Sequence, residues 1–190
     1  MPATPMISPH QAAVDPPEPF WVFGYGSLMW RPGFRYLEHG SALLAGYHRR
    51  LCVTSRHHRG TAERPGLVMG LDRGGACRGA AYLVPAEDAA ETLAYLDERE
   101  IAHYPIYRRA VVPIRVMLPD GSVGARALTY VVDRRHPDYA GHLSPAEQAA
   151  MVRGAVGVSG PNADYIDATS QQIHALGLRD ARLEAVRRLL

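Results

Sequence analysis

Apolar and polar residues change rhythm several times along the chain. Trp21-Val22-Phe23 is a short apolar run that stops at Gly24-Tyr25-Gly26-Ser27, the pattern of a strand entering a glycine-rich turn. Pro32-Gly33 marks a second turn. Strand-like stretches follow at residues 42–54, 67–71 and 77–84, and Asp72-Arg73-Gly74-Gly75 predicts a turn between the last two. Residues 57–66 are polar and rich in Gly and Pro, which predicts a loop. Residues 110–118 and 125–132 form a candidate hairpin across Pro119-Asp120-Gly121.

Three stretches have helical rhythm. In residues 86–100, Ala89, Leu93, Leu96 and Glu100 follow at steps of four, three and four and share one face. Glu87, Glu91 and Glu98 project elsewhere, toward solvent. Ser144-Pro145-Ala146-Glu147 is a capping box with proline in the first helical position, followed by an inner stripe of Gln148, Met151, Val152 and Ala155. A third helix starts after Gly160-Pro161, carries Ile166, Thr169, Ile173 and Leu176 on one side, and stops at Gly177. A short terminal helix is expected from residue 180 to 190.

Strands come first, then one helix, more strands, and helices at the end. Strict alternation is missing, so a doubly wound parallel sheet is not indicated. The expected architecture is α+β, a mostly antiparallel sheet or small β-barrel with flanking helices. Residues 20–190 read as one domain behind a proline-rich tail, residues 1–19, expected to be disordered.

Composition adds mainly exclusions. Among 190 residues, 47% are apolar, enough for a core, and the formal charge is only +2. The basic residues are scattered, which argues against a nucleic-acid partner. No apolar run approaches the ~20 residues of a membrane span. The first residues carry neither a basic cluster nor an apolar core of signal-peptide type, which leaves the cytoplasm as the expected compartment. Cys52 and Cys77 fall in strand-like stretches and read as small core residues in a reducing compartment rather than as a disulfide or a nucleophile. Nine histidines invite a metal reading. No His-x-x-x-His or Cys-x-x-Cys pair occurs, and adjacent His57 and His58 would point apart in extended chain, so a metal site is not expected.

Two features carry chemistry. The glycines of Phe23-Gly24-Tyr25-Gly26-Ser27-Leu28 allow close approach of a ligand to main-chain N–H groups, and such a turn can hold a carboxylate or a developing oxyanion. It lacks the third glycine and opening helix of a dinucleotide fingerprint and the Gly-Lys-Ser/Thr of a phosphate loop. An ordinary tight turn is the competing reading. Glu100 continues an otherwise apolar stripe. A carboxyl facing the interior has its charged form disfavoured, and its raised pKa suits a general base. The competing reading puts Glu100 past the helix end, or paired at the surface with Arg99 or Arg108.

Taken together, these motifs resemble the ChaC family, the glutathione-specific γ-glutamylcyclotransferases. Trp21 to Trp30 with Pro32-Gly33-Phe34 is similar to that family's opening strand and substrate loop. His58-Arg59-Gly60-Thr61 followed by Pro65-Gly66 resembles its His-Arg-Gly loop. Tyr95-Leu96-Asp97-Glu98-Arg99-Glu100 resembles its catalytic helix. His136-Pro137-Asp138-Tyr139 and Gly157 to Tyr165 resemble two later motifs. Residues 101–107, Ile-Ala-His-Tyr-Pro-Ile-Tyr, depart from the glycine-rich stretch and tyrosine that many members carry after the base.

The resemblance implies a γ-glutamylcyclotransferase-like fold and a cofactor-free, cytosolic enzyme. It implies Glu100 as base, Val22, Phe23, Gly24, Tyr25, Gly26, Ser27 and Leu28 as the substrate segment, and Tyr139 and Tyr165 as candidate site tyrosines. A core aromatic with a satisfied hydroxyl competes for each tyrosine. The expected reaction is attack of the substrate's own α-amine on its γ-carbonyl, releasing 5-oxoproline and, from glutathione, Cys-Gly. Other γ-glutamyl amines or dipeptides as substrates, and a non-catalytic anion-binding regulator, stay open.

Overall fold

The computed structural model describes residues 18–190, so all but the end of the expected tail lies outside the described residues. Five strands close a barrel in the order β1-β3-β2-β4-β5. They are β1 (Phe20–Gly24), β2 (Glu38–Ser55), β3 (Gly66–Val84), β4 (Tyr107–Leu118) and β5 (Gly121–Val132). Four of the joins are antiparallel, and the barrel closes through a short parallel join in which Trp21 faces Ala127 and Val22 faces Leu128. Helix α1 (Ala89–Glu100) connects β3 to β4. Helices α2 (Pro145–Val152), α3 (Asn162–Ala175) and α4 (Ala181–Arg187) follow the barrel, with a two-residue β6–β7 ribbon (Val156–Gly157, Gly160–Pro161) between α2 and α3. The architecture is α+β, as the order of elements predicts.

The expected turn at residues 72–75 is corrected: β3 runs through it unbroken. Gly74 and Gly75 take positive φ, as does Gly46 on facing β2, and the register jumps between Ala45 and Tyr47. The glycines absorb a bulge, and the ladder resumes beyond it. A Gly-Gly signal has the same local chemistry in a hairpin and in a bulge, and only the partner strand decides between them. The bent β2–β3 pair therefore serves twice. One half closes the barrel around Phe23, Leu44, Leu71, Ala81 and Ile114. The other half, with Leu51, Leu67 and Met69, receives Val152, Ile166, Ile173, Leu183 and Val186 from the three C-terminal helices.

The caps follow the sequence closely. Ser144 Oγ accepts the Glu147 N–H while Glu147 Oε2 accepts the Ser144 N–H at 2.8 Å, the expected capping box. Helix α1 buries Ala89, Thr92 and Leu96, with Glu100 next on the same side. Leu176, expected on the inner stripe of α3, ends the helix and is 46% exposed. Cys52 and Cys77 are buried and free, and burial pushes both thiols up, so neither is an activated nucleophile.

Candidate active site

A cavity of about 820 Å³ opens between the loop after β1, the last turn of α1 and the face of α3. Tyr25, Gly26, Ser27 and Leu28 form one wall, and Glu100 with Arg99 forms another. Val68 and Met69 of β3, Tyr107 of β4 and Tyr130 of β5 make the floor, and Tyr165 closes the far side. The structure thus brings Glu100, Tyr25, Gly26, Ser27, Leu28 and Tyr165 to one cavity.

The loop turns back on itself directly after β1. A Cβ on Gly24 would stand 2.8 Å from Leu28 Cβ, so only glycine permits that fold. A Cβ on Gly26 would meet nothing within 4 Å, which is where the loop faces open space. Ser27–Met29 form a single 3-10 turn with Met29 N–H donating to Gly26 O at 2.9 Å. Its first N–H groups have no partner within the turn.

The loop is braced from both sides. Arg99 donates to Ser27 Oγ and to Arg31 O, each at 2.7 Å, and to Tyr95 Oη at 2.7 Å. From behind, buried Arg49 donates to the Tyr25 carbonyl and, at 2.7 Å, to Arg78 O. Arg49 belongs to a second concavity, of about 850 Å³, where Asp180 pairs with it at 3.7 Å. Its charge is already committed there, and no carboxyl of raised pKa lines that concavity among the described residues, so the chemistry favours the first cavity.

The Glu100 side chain is 17% exposed. Burial raises its pKa, and the Arg99 guanidinium, 3.5 Å away, pulls it the other way with less effect. The expected helical stripe therefore does deliver a carboxyl to a desolvated place. The Tyr25 hydroxyl is buried and, among the described residues, has no hydrogen-bond partner. Burial first, and the Glu100 charge second, push that phenol well above its ordinary value. Around it the other phenols are engaged. Tyr107 Oη donates to Met69 O at 2.5 Å, Tyr165 Oη accepts Met69 N–H at 3.1 Å, and Tyr104 Oη is hydrogen-bonded to Ser55 Oγ at 2.9 Å. Burial raises Tyr165 to about 12, which keeps it protonated.

The remaining sequence candidates lie elsewhere. Val22 and Phe23 are buried in the barrel core behind the loop, and Gly24 is the pivot rather than a wall. Tyr139 is outside the cavity. Its hydroxyl donates to Asp72 Oδ2 at 2.8 Å, in a buried cluster where Arg134 donates to Asp72 Oδ1 at 2.6 Å. The motif around Tyr139 braces β2, with Thr54 N–H donating to Asp138 O at 2.9 Å.

Four residues carry roles that spacing did not reveal. Asp97 accepts from Tyr130 at 2.8 Å and pairs with Arg109, fixing α1 to β4 and β5. Asn162 Nδ2 donates to Leu67 O at 2.8 Å and its Oδ1 accepts Leu67 N–H at 2.7 Å, fixing α3 to β3. The Arg59 guanidinium lies 5.3 Å over the Tyr165 ring at the mouth. His103, three residues past Glu100, meets His57 and His58 beside the cavity. The expectation that His57 and His58 point apart is corrected, because the chain is not extended at that point. Burial, followed by His103 and His57, holds His58 below the usual imidazole range. A distant third residue leaves no spacing signal, although the departure of residues 101–107 from the family pattern did mark the place.

Comparisons with known proteins identify the family and the fold. The family model described as ChaC-like protein matches residues 20–190. The glutathione-specific gamma-glutamylcyclotransferase of Escherichia coli (strain K12) is 34% identical over 165 residues, covering 85% of this chain and 68% of that protein. The glutathione-specific gamma-glutamylcyclotransferase 1 of Mus musculus is 32% identical over 192 residues, covering 96% and 85%. The crystal structure of a gamma-glutamyl cyclotransferase specific to glutathione from yeast superposes with a TM-score of 0.79 over 90% of this chain and 97% of that one, at 22% identity, which establishes the shared fold. On its sequence, its barrel and its cavity, this chain belongs to the ChaC-like protein family.

Proposed function

We propose that this chain is a glutathione-specific γ-glutamylcyclotransferase, with Glu100 as general base. The observation that carries the reading is a half-buried carboxyl of raised pKa sharing one cavity with the Tyr25–Leu28 loop. The names of the relatives supply the substrate class.

In this reading the glutamyl group rests against the main-chain N–H groups of Tyr25, Gly26, Ser27 and Leu28. Glu100 takes a proton from the α-ammonium. The freed amine attacks the γ-carbonyl of the same molecule, the new C–N bond closes a five-membered lactam, and the old C–N bond breaks. Protonated Glu100 gives its proton to the departing nitrogen of Cys-Gly as the old C–N bond breaks. The carboxylate then takes the second proton, which the ring nitrogen sheds on becoming an amide, and that proton leaves with Cys-Gly as part of its ammonium group. The substrate supplies its own nucleophile, so the site needs to hold amine over carbonyl, a constraint that can supply roughly 7–11 kcal/mol. Arg59 offers a positive charge at the mouth for the terminal carboxylate.

The unpartnered Tyr25 hydroxyl supports the same reading, because buried polar groups are normally satisfied. It is assigned here as a donor to the bound substrate. Tyr25→Phe should lower kcat/KM by about 10–100-fold, the effect of losing one hydrogen bond to a charged group. Its thermal stability should not fall, since the free protein makes no bond there. An unchanged kcat/KM would remove Tyr25 from the site.

The pH profile has a fixed sign. Only ionised Glu100 accepts a proton, and its pKa is raised by burial above 4.5. Activity should therefore rise with pH through an acid limb displaced upward from an ordinary glutamate. A kcat/KM profile with its limb at or below 4.5 would contradict the base assignment.

The direct test is product analysis after parallel incubation with glutathione, γ-Glu-Ala and γ-Glu-ε-Lys. Release of 5-oxoproline from glutathione alone supports the specific reading. Release from the other two at equal rates would widen the substrate class, and release from none would leave an anion-binding module. Among the described residues no helix is long and apolar enough to cross a membrane. The buried free thiols of Cys52 and Cys77 fit a reducing cytoplasm.

A further inference from the structure

His57, His58 and His103 come from two separate segments and meet beside the cavity, which His58 and His103 line. One ring nitrogen from each lies within 4.8 Å of those of the other two. The His57 and His103 rings stack with centroids 5.0 Å apart, and His58 stands edge-on to both at 4.9 Å. Neither of the histidine–carboxylate pairs among the described residues, His136–Asp138 and His174–Glu184, involves these three. Three imidazoles packed together with no acid are unfavourable as cations and well matched to a shared cation.

The backbone beneath them is held in place. The His57 and His58 carbonyls accept the Val158 and Ser159 N–H groups at 2.9 and 3.0 Å. Gly157 packs so closely that a Cβ there would stand 2.3 Å from His57 O. His58 Nδ1 is 2.9 Å from Ser159 Oγ. Donation from Nδ1 to that hydroxyl leaves the Nε2 lone pair free, the outer-shell arrangement that orients a metal-binding imidazole. On the other side, Ala102 N–H donates to Asp97 O and Tyr104 N–H to Ile101 O, which fixes the turn that carries His103. Exposed His57 and His103 have room to close their nitrogens to the ~2.0–2.1 Å metal distance of an imidazole site.

We propose that His57, His58 and His103 form a three-histidine site for a divalent cation of the zinc class beside the cavity. Nitrogen ligands select borderline metals over Mg2+ and Ca2+, which take oxygen. Three protein ligands leave a coordination position for solvent or a small ligand.

The test is titration of the full chain, without an affinity tag, with Zn2+ by calorimetry and with Co2+ by visible absorption, in the absence of substrate. The outcome is thereby independent of the reaction assigned above. One equivalent should bind, Co2+ should give the intense bands of a low-symmetry four-coordinate ion, and Mg2+ should not compete. His57→Ala and His103→Ala should each weaken binding by more than about tenfold, since losing even an outer-shell partner costs roughly 10–100-fold. Ser159→Ala should weaken it less. Far-UV circular dichroism of each variant checks the fold. Absence of binding to the wild type, or binding to both histidine variants as tight as to the wild type, overturns the site and leaves a cluster of stacked rings.

Discussion

Replacing Glu100 by Gln should reduce 5-oxoproline release from glutathione by about 10²–10⁴-fold, the range of a positioned general base. The amide has the same shape and fits the same space, so the loop contacts of Arg99 should survive. What it lacks is a site for the ammonium proton. The substitution also has a stability signature that separates it from simple damage. Burial raises the Glu100 pKa, so the folded chain holds this proton more tightly than the unfolded chain. Its contribution is fully present below the unfolded pKa and is lost as pH rises through the folded one. At neutral pH the native state carries a disfavoured charge, and Gln removes it. The variant should therefore melt at or above the wild-type temperature near pH 7, with the advantage vanishing in acid. Kinetics measured together with melting curves from about pH 4 to 8 cover both halves. Near wild-type release of 5-oxoproline would end the assignment. Lost activity with a lowered melting point would point to a structural role instead.

Asn162→Ala should cost about 2–4 kcal/mol of folding stability, read as a shift of the urea midpoint at constant slope. The Asn162 side chain is fully buried and satisfies both main-chain groups of Leu67. Its removal orphans a buried N–H and a buried C=O, each costing about 1–3 kcal/mol. Water can enter part of the space left, which keeps the total below the upper sum. The same bonds seat the first turn of α3, and that helix carries Tyr165 to the cavity. A rise in KM for glutathione should accompany the lost stability. An unchanged urea midpoint would show that β3 finds other partners there.

The loop and the base illustrate how a site is divided between local and distant causes. Gly24 is required because the chain reverses within four residues, and Leu28 Cβ occupies the room a side chain would need. Arg99, one residue before the base, ties that reversal to α1 by its bond to Ser27. The two chemical features are thus fastened to each other, and not merely adjacent. Substitutions at Arg99 should be read with this in mind, since they loosen the loop and shift the base together.

Much of this was legible in the order of residues. A helix repeats every 3.6 residues whatever surrounds it, so the stripe of Ala89, Leu96 and Glu100 was visible, and so was the side of α1 that would be desolvated. Capping by Ser144 and Glu147 is settled within four residues. Long-range geometry was not legible. Asp72-Arg73-Gly74-Gly75 carries the local signal of a turn, and only pairing with β2 makes it a bulge in one long strand. Tyr139 and Tyr165 have the same chemistry in the sequence. The fold sends one to Asp72 and the other to the cavity, because the segment after β5 pairs Tyr139 with Val53 of β2 while α3 carries Tyr165 to the cavity. The meeting of His103 with His57 and His58 needed the closed barrel, since no periodicity links residues so far apart in the chain. Local sequence fixes repeat and cap because their causes lie within one turn of chain. Tertiary structure alone fixes which side chains share a space, because that depends on how distant segments pack.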